Sequence, residues 1–337
     1  MRNRFPSSVT QNLDLIFISL IWLVWALSMS LFSHWDLFRE NWFMSITMAM
    51  GSFIAGSTSQ GGGAVAFPAM TLGFGIDPKS ARDFSLMIQS IGMTSAAIAI
   101  FVRRIAVEKT TLFWAGTGGV IGVFIGLQWI QQWFSPNPTK VFFVSLWLAF
   151  GAALWFINRK QSPFRNDLLP THSAQSRCIL FLVGIPGGII SALLGSGLDI
   201  LVFAVLVLGF RICEKTATPT SVVLMAMISV AGFANRVLFP GTEPISETTW
   251  GYWWVCVPIV AVGAPLGSRF ISKRGRAFIV RLLLVIILAQ FIAALLIIPF
   301  SPSLILIAAT TFLGGIILFR ILWALGTRFT ENQTLHD

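Results

Sequence analysis

The chain is predicted to be an all-α integral membrane protein built from inverted-topology repeats, with about eight full transmembrane helices and two re-entrant, discontinuous helical hairpins. Three observations lead there. Long apolar runs fill most of the length, two of those runs are broken by glycine-rich turns, and the two halves carry an ordered internal similarity.

Of 337 residues, 55% are hydrophobic and only 11% charged, with a mean hydropathy of +0.81, far more apolar than a soluble domain. Apolar runs long enough to cross about 30 Å of hydrocarbon extend over Leu13 to Phe32, Asp83 to Phe101, Thr111 to Trp133, Val141 to Ile157, Ser221 to Phe239, Trp250 to Ile271, Ala277 to Ile298 and Leu304 to Leu325. The first run has the length of a full span and no A-x-A type cleavage site after it, so it reads as a helix rather than a removable signal. Cys178, Cys213 and Cys256 are scattered in or beside apolar runs without paired or metal-type spacing, which implies packing residues and no disulfide.

A formal charge of +10 is compatible with nucleic acid, but the basic residues sit in short clusters between apolar runs, where their role is topological. The clusters at Arg2 and Arg4, Arg103 to Lys109, Arg159 to Arg177, Lys273 to Arg281, and Arg320 to Arg328 mark cytoplasmic faces, so both termini are expected inside. With Arg103 and Arg104 inside, the run from Asp83 to Phe101 must travel inward, and Trp42 to Phe74 begins and ends on the outer side. By the same reasoning Ile179 to Phe210 enters and leaves from the cytoplasm, so the halves are inverted. Ala64 to Phe74 then forms a half-helix of about 16 Å.

The internal similarity is independent of charge. G-F-G-I-D-P-K-S-A-R-D-F-S from Gly73 aligns with G-F-R-I-C-E-K-T-A-T-P-T-S from Gly209 at an offset of 136, which also sets Gly61 against Gly197. Further on, an offset of 141 pairs Gly122 and Gly126 with Gly263 and Gly267. The expected organisation is an N-terminal helix over 1–40, a first repeat over 41–158, a cytoplasmic linker over 159–177, a second repeat over 178–299, and a C-terminal helix and tail over 300–337. Paired breaks at matching positions of two halves mark a transporter's substrate site near the midplane.

The stretch G-S-T-S-Q-G-G-G-A-V-A-F-P-A-M from Gly56 to Met70, the loop P-K-S-A-R-D-F-S from Pro78, and their degenerate second copies resemble the sulfite exporter TauE/SafE family, also called the toluenesulfonate uptake permease family. The likeness runs from about Trp42 to Leu325. It implies a secondary transporter of small sulfur-containing anions such as sulfite, organosulfonates or sulfoacetate, sited in the cytoplasmic (inner) membrane and working by alternating access. Export is favoured over uptake, with direction in such a carrier following its gradients. The second copy departs from the first, with G-S-G for G-G-G and Ala204 where Pro68 would fall.

Helix amino-termini present unpaired amides and a partial positive charge, and glycine lets an oxyanion approach them closely. Gly61, Gly62 and Gly63 open one half-helix, and Gly195, Ser196 and Gly197 open the other. Ser57, Thr58, Ser59, Gln60 and Ser196 add donors, and Gln89 on the following helix is a candidate lining residue. Asp199 is the one acidic residue this reading places deep in the membrane. It is either a proton-coupling carboxylate or a cap on its own helix. Arg82 and Lys215 occupy matched loops at opposite mouths, as anion attractors or as ordinary interfacial charges. The G-x-x-x-G pairs Gly118 to Gly122, Gly122 to Gly126 and Gly263 to Gly267 read as close helix packing.

An enzyme would need a nucleophile and base, a metal set or a nucleotide loop. His34, His172 and His336 have no ligand spacing, and no Walker-type motif is present. No catalytic residue, cofactor, metal or nucleic-acid partner is expected. The expected partners are the sulfur-containing anion and the lipid bilayer, with oligomeric state open and a homodimer among the options. The alternatives are an anion channel, or a carrier for another small carboxylate or inorganic anion.

Overall fold

The computed structural model describes residues 13–59, 63–159, 166, 169, 174–240 and 244–334, and among them the chain forms twelve α-helices and no strands. In order they are α1 Leu13–Leu31, α2 Leu37–Ser57, α3 Gly63–Pro68, α4 Pro78–Val102, α5 Lys109–Ile125, α6 Pro136–Arg159, α7 Ala174–Leu194, α8 Leu198–Ala204, α9 Glu214–Leu238, α10 Glu247–Ser272, α11 Arg276–Ile297 and α12 Pro302–Thr334. Wide π turns continue α3 over Ala69–Gly73, α5 over Gly126–Ile130 and α8 over Val205–Gly209. Local chemistry explains the starts. Asp77 accepts the amides of Lys79 and Ser80 ahead of Pro78 at α4, Glu108 accepts that of Thr110 at α5, and Ser246 that of Thr249 at α10.

Among the described residues, nine helices are long and apolar enough to cross a bilayer. Eight coincide with the apolar runs read from sequence; the ninth is Ala174–Leu194, which that reading treats as one arm of a broken segment. Each broken segment therefore has unequal arms. The first arms, α2 and α7, have 21 residues apiece, about 31 Å of helix, while only the second arms are half-length. The half-helix expected over Ala64 to Phe74 is present as α3 with its π turn. The expected linker over 159–177 is shorter, since α6 reaches Arg159 and α7 begins at Ala174.

Helix boundaries recur at nearly constant offset. α4 and α9 each run 25 residues and start 136 apart, the π turns Ala69–Gly73 and Val205–Gly209 also start 136 apart, and α2 and α7 start 137 apart. Packing partners recur too: α2 lies along α10 as α5 lies along α7, while α4 crosses α9 and α6 meets α11. Glycine makes the first two pairings close. An added Cβ at Gly118 or Gly122 would overlap the Phe181 or Ile185 carbonyl oxygen, and one at Gly267 would overlap that of Phe53.

The core lies around α4, whose face carries Phe84, Leu86, Ile88 and Met93 at 1% exposure or less. α4 and α9 run antiparallel, with Asp83 bonded to Arg236 near one end of the pair and Met93, Ala96 and Ile100 clustered with Val222, Val223 and Ala226 towards the other. These two poles, the Asp83 end and the Ile100 end, orient the rest. At the Asp83 end the chain comes back on itself after α3, bringing Phe74 to 4.7 Å from Phe43, ring to ring. At the Ile100 end, Asn166 pairs with Arg211 and Cys213 through backbone bonds.

α1 is strapped to α10 by two indoles. Pro258 has no N–H, which frees the carbonyl four residues earlier at Trp254, and Trp25 Nε1 donates to that oxygen at 2.8 Å. Trp22 Nε1 donates to the Pro258 carbonyl at 3.0 Å. Trp253 Nε1 of α10 donates to the Met87 carbonyl of α4 at 3.2 Å. Cys256 is buried as expected, Cys213 is half-buried, and Cys178 is exposed on α7.

Replacing Gly122 by valine is expected to lower stability by about 1–3 kcal/mol or more through overpacking, read as a lower melting temperature of the detergent-solubilised protein. Gly314, with open space around its Cβ position, should accept alanine within about 0.5 kcal/mol.

Candidate functional site

The second break closes on its own side chains. Gly195 has φ of +79° and lies against Ser85, so a side chain there is excluded by conformation and by space. Its amide donates to the Ser191 carbonyl at 2.8 Å. Leu198 N donates to Ser191 Oγ at 2.9 Å and Gly197 N to Asp199 Oδ1 at 3.0 Å. Ser196 Oγ lies 3.3 Å from both carboxylate oxygens of Asp199. Gln89 Nε2 donates to the carbonyls of Gly195, at 2.7 Å, and Ser85, at 2.8 Å, leaving Oε1 buried without a partner among the described residues.

This differs from the sequence expectation at Gly195, Ser196 and Gly197. The amides of Gly195 and Gly197, read as donors for a guest anion, are occupied, and the carboxylate of Asp199 sits where such a guest would go. Asp199 is 1% exposed, and its carboxylate accepts the Gly197 amide just ahead of α8.

At the first break, Ser57 Oγ and Thr58 Oγ1 both donate to the Ile54 carbonyl, at 3.0 and 2.9 Å. Ser59 is 1% exposed, and its Oγ has no partner among the described residues. Gln60, Gly61 and Gly62 lie outside the described residues; Gly63 opens α3. Gly56 packs on Ala264 and Ser57 on Gly267, level with Ala96 and Ile100 of α4, whereas Gly195 packs on Ser85. Eleven residues of α4 separate Ser85 from Ala96, about 16 Å. The described flanks of the two breaks thus stand apart along α4, where the sequence reading places both turns side by side at the midplane.

A cavity of about 520 Å³ opens at the Asp83 end, between the starts of α4 and the ends of α5 and α9, with Leu193 of α7 and Phe67 of α3 in its wall. Arg82 and Arg236 face one carboxylate there. Arg82 Nε and Nη2 donate to Asp83 Oδ1 at 3.0 and 2.8 Å, and Arg236 Nε and Nη2 donate to Asp83 Oδ1 and Oδ2 at 3.1 and 2.9 Å. Arg82 Nη1 also donates to Gln131 Oε1, and Arg236 Nη1 to the Pro240 carbonyl. All three charged residues are at most 6% exposed.

At the opposite pole a cavity of about 400 Å³ is lined by Gly56, Ile100, Lys215, Thr218 and Ser268. Lys215 is exposed and Thr218 Oγ1 is buried without a partner among the described residues. Arg82 and Lys215 therefore do stand at opposite ends, but Arg82 is an interior ion-paired group rather than an interfacial one. A third cleft of about 320 Å³, lined by Val141, Phe291, Ile298 and Ile305, is almost wholly apolar.

Sequence reasoning missed several buried ionic groups. Besides Asp199, four carboxylates are buried: Asp14 bonds Arg103 and Arg269, Asp83 bonds two arginines, Glu108 accepts the Thr110 and Leu169 amides, and Glu214 pairs with Arg276 at 2.8 Å. The usable signal was Arg236, an ionisable residue inside the run from Ser221 to Phe239, which by itself requires a partner. No group of three or more His, Cys, Asp or Glu side chains is placed to hold a metal among the described residues.

No curated protein and no solved structure matches the chain. The sequence model of one family, described as sulfite exporter TauE/SafE, matches residues 43–297, from α2 to the end of α11. That span takes in both breaks, both polar cavities and the α4–α9 crossing. The match covers most of the chain, which belongs to the sulfite exporter TauE/SafE family of membrane transporters of sulfur-containing anions, and is not an enzyme.

Proposed function

We propose that this chain carries a small sulfur oxyanion or organosulfonate across the cytoplasmic membrane by alternating access between two inverted repeats, each holding a re-entrant hairpin. The recurring boundaries and mirrored packing of α2 with α10 and α5 with α7 support the duplication. The return of Phe74 to Phe43, and of Cys213 to Asn166, supports the hairpins.

Orientation follows from charge. The Ile100 end carries Arg103, Arg104, Lys109, Lys215, Lys273 and Arg274, so it faces the cytoplasm. α1 starts there, through Asp14 to Arg269, and Trp323 of α12 lies there beneath Arg211. The start of α1 and the later part of α12 thus fall on the cytoplasmic side in this reading.

One observation carries the assignment of the binding site. The second break holds Asp199 in contact with the Gly197 amide and the Ser196 hydroxyl, and at the offset of 136 the first break has Gly63 in its place. At matching sequence positions one half therefore carries a carboxylate and the other a glycine. The guest anion occupies the first turn, held by the amides of Gly61 to Gly63 with Ser59 and Gln60, while Gln89 and Ser196 brace the second. Asp199 is the coupling residue, exchanging a proton as the second turn loosens.

Proteoliposome flux of sulfite, sulfate, thiosulfate, taurine, sulfoacetate and sulfolactate, with and without a proton gradient, tests the reading. Saturable counter-flow of at least one sulfite or sulfonate is the expected result, and large unitary currents would instead indicate a channel. Gly63→Asp, a change tolerated at a helix start, should reduce anion affinity about tenfold or more by filling the first turn. Asp199→Asn should keep anion exchange but lose its response to a pH gradient; unchanged coupling would remove Asp199 from that role.

A further inference from the structure

We propose that Arg82 and Arg236 form a separate anion-admission site at the Asp83 end, in which Asp83 is a resident stand-in that an incoming sulfonate or sulfite displaces. The proposal rests on the anion-carrier reading above but concerns a different place, separated from the first break by most of the length of α4.

The two guanidinium groups point their forks at one carboxylate from different helices, α4 and α9, and give it four N–H bonds. That convergence of planar donors is how proteins recognise a free carboxylate or oxyanion. Asp83 meets it imperfectly: Oδ1 takes three of the four bonds and Oδ2 takes one. An S–O₃ group, with three oxygens in a pyramid, distributes the same donors over more acceptor atoms. The pair faces a cavity of about 520 Å³, within the usual range for small-molecule sites.

Further polar groups stand around it. Gln131 already orients Arg82, and Gln128 in the cavity wall donates to Asn235 Oδ1 at 2.9 Å. Asn235, next to Arg236 and 5% exposed, has its Nδ2 donor buried without a partner among the described residues. Asp77 and Lys79 also line the cavity, and the Asp77 carboxylate is engaged in capping α4. At the offset of 136, Arg82 and Asp83 correspond to Thr218 and Pro219, so the carboxylates that meet arginines at the Ile100 end, Asp14 and Glu214, stand at other positions of the pattern. When an anion takes over the two arginines, the bridge from Asp83 on α4 to Arg236 on α9 is released at the same step. Arrival of the guest thereby loosens that end of the crossing.

The test uses purified full-length protein in detergent, with methanesulfonate and sulfite as probes, read by calorimetric titration and thermal shift. Asp83→Asn is expected to bind methanesulfonate about tenfold tighter than the parent protein, and to gain more thermal stability from it. Adding Arg236→Lys, which keeps the charge but not the fork, should abolish that gain. Unchanged or weaker binding by Asp83→Asn overturns the proposal. So does failure of that variant to fold with the anion present throughout purification, because an anion that replaces the carboxylate must also restore the fold. Parent-protein flux separates the two readings: sulfite or sulfonate flux without an affinity gain in Asp83→Asn rejects the admission site alone, and absence of all such flux rejects the carrier reading.

Discussion

A helix interrupted inside hydrocarbon leaves amides and carbonyls that no water can reach, and each must find a partner in the protein. The break after α7 meets that demand entirely from within. Ser191 serves two amides, Asp199 a third, and Gln89 reaches across from α4 to the Gly195 carbonyl. The remaining architecture follows from holding those partners in place. Gly184 and Gly188 let α7 lie against the backbone of α5, Gly195 lets the turn touch α4, and α4 is buried because it must carry Gln89 and Ser85 to that turn. Small residues here are a consequence of backbone meeting backbone and not a decoration of a packed bundle.

Much of this was legible in the residues. Apolar runs located eight spans because hydrophobic length is imposed by the bilayer, and the similarity of Gly73 to Ser85 with Gly209 to Ser221 anticipated the equal spacing of α4 and α9, which start 136 residues apart. The length of the α2 and α7 arms was not legible. An apolar run broken by glycine looks the same whether its first arm is half or full length, and α2 is masked further by Arg39, Glu40 and Asn41 in its first turns. Nor was it legible that the amides of Gly195 and Gly197 are internally bonded, since a capping carboxylate and a substrate-coupling carboxylate occupy the same position in sequence. The meeting of Arg82, Asp83 and Arg236 depends on how α4 crosses α9, with 153 residues between Asp83 and Arg236, and no local pattern encodes such a pairing.

The two halves are alike in backbone and unlike in charge. Where one pole of the α4–α9 crossing is tied by guanidinium–carboxylate bonds, the other is filled by Ala96, Ala97, Val222 and Val223 and bordered by the cavity at Lys215. Buried ion pairs add little net stability, because desolvation offsets attraction, yet breaking one by removing a partner is costly. The Ile100 end has carboxylate–arginine contacts of its own, in which Asp14 ties α1 to Arg103 and Arg269 and Glu214 ties α9 to Arg276 of α11, whereas Asp83 and Arg236 tie α4 directly to α9. Arg82, Asp83 and Gly63 stand where the second half has Thr218, Pro219 and Asp199, so matching positions of the two halves differ in charge.

The indole bonds of α1 bear on how α10 is completed. α1 lies outside the region matched by the family, yet Trp25 fills a carbonyl that Pro258 leaves open on α10. A helix whose own ladder is broken by proline thus borrows its missing donor from a neighbour, and taking α1 away would uncover a polar atom that α10 has no means of covering itself.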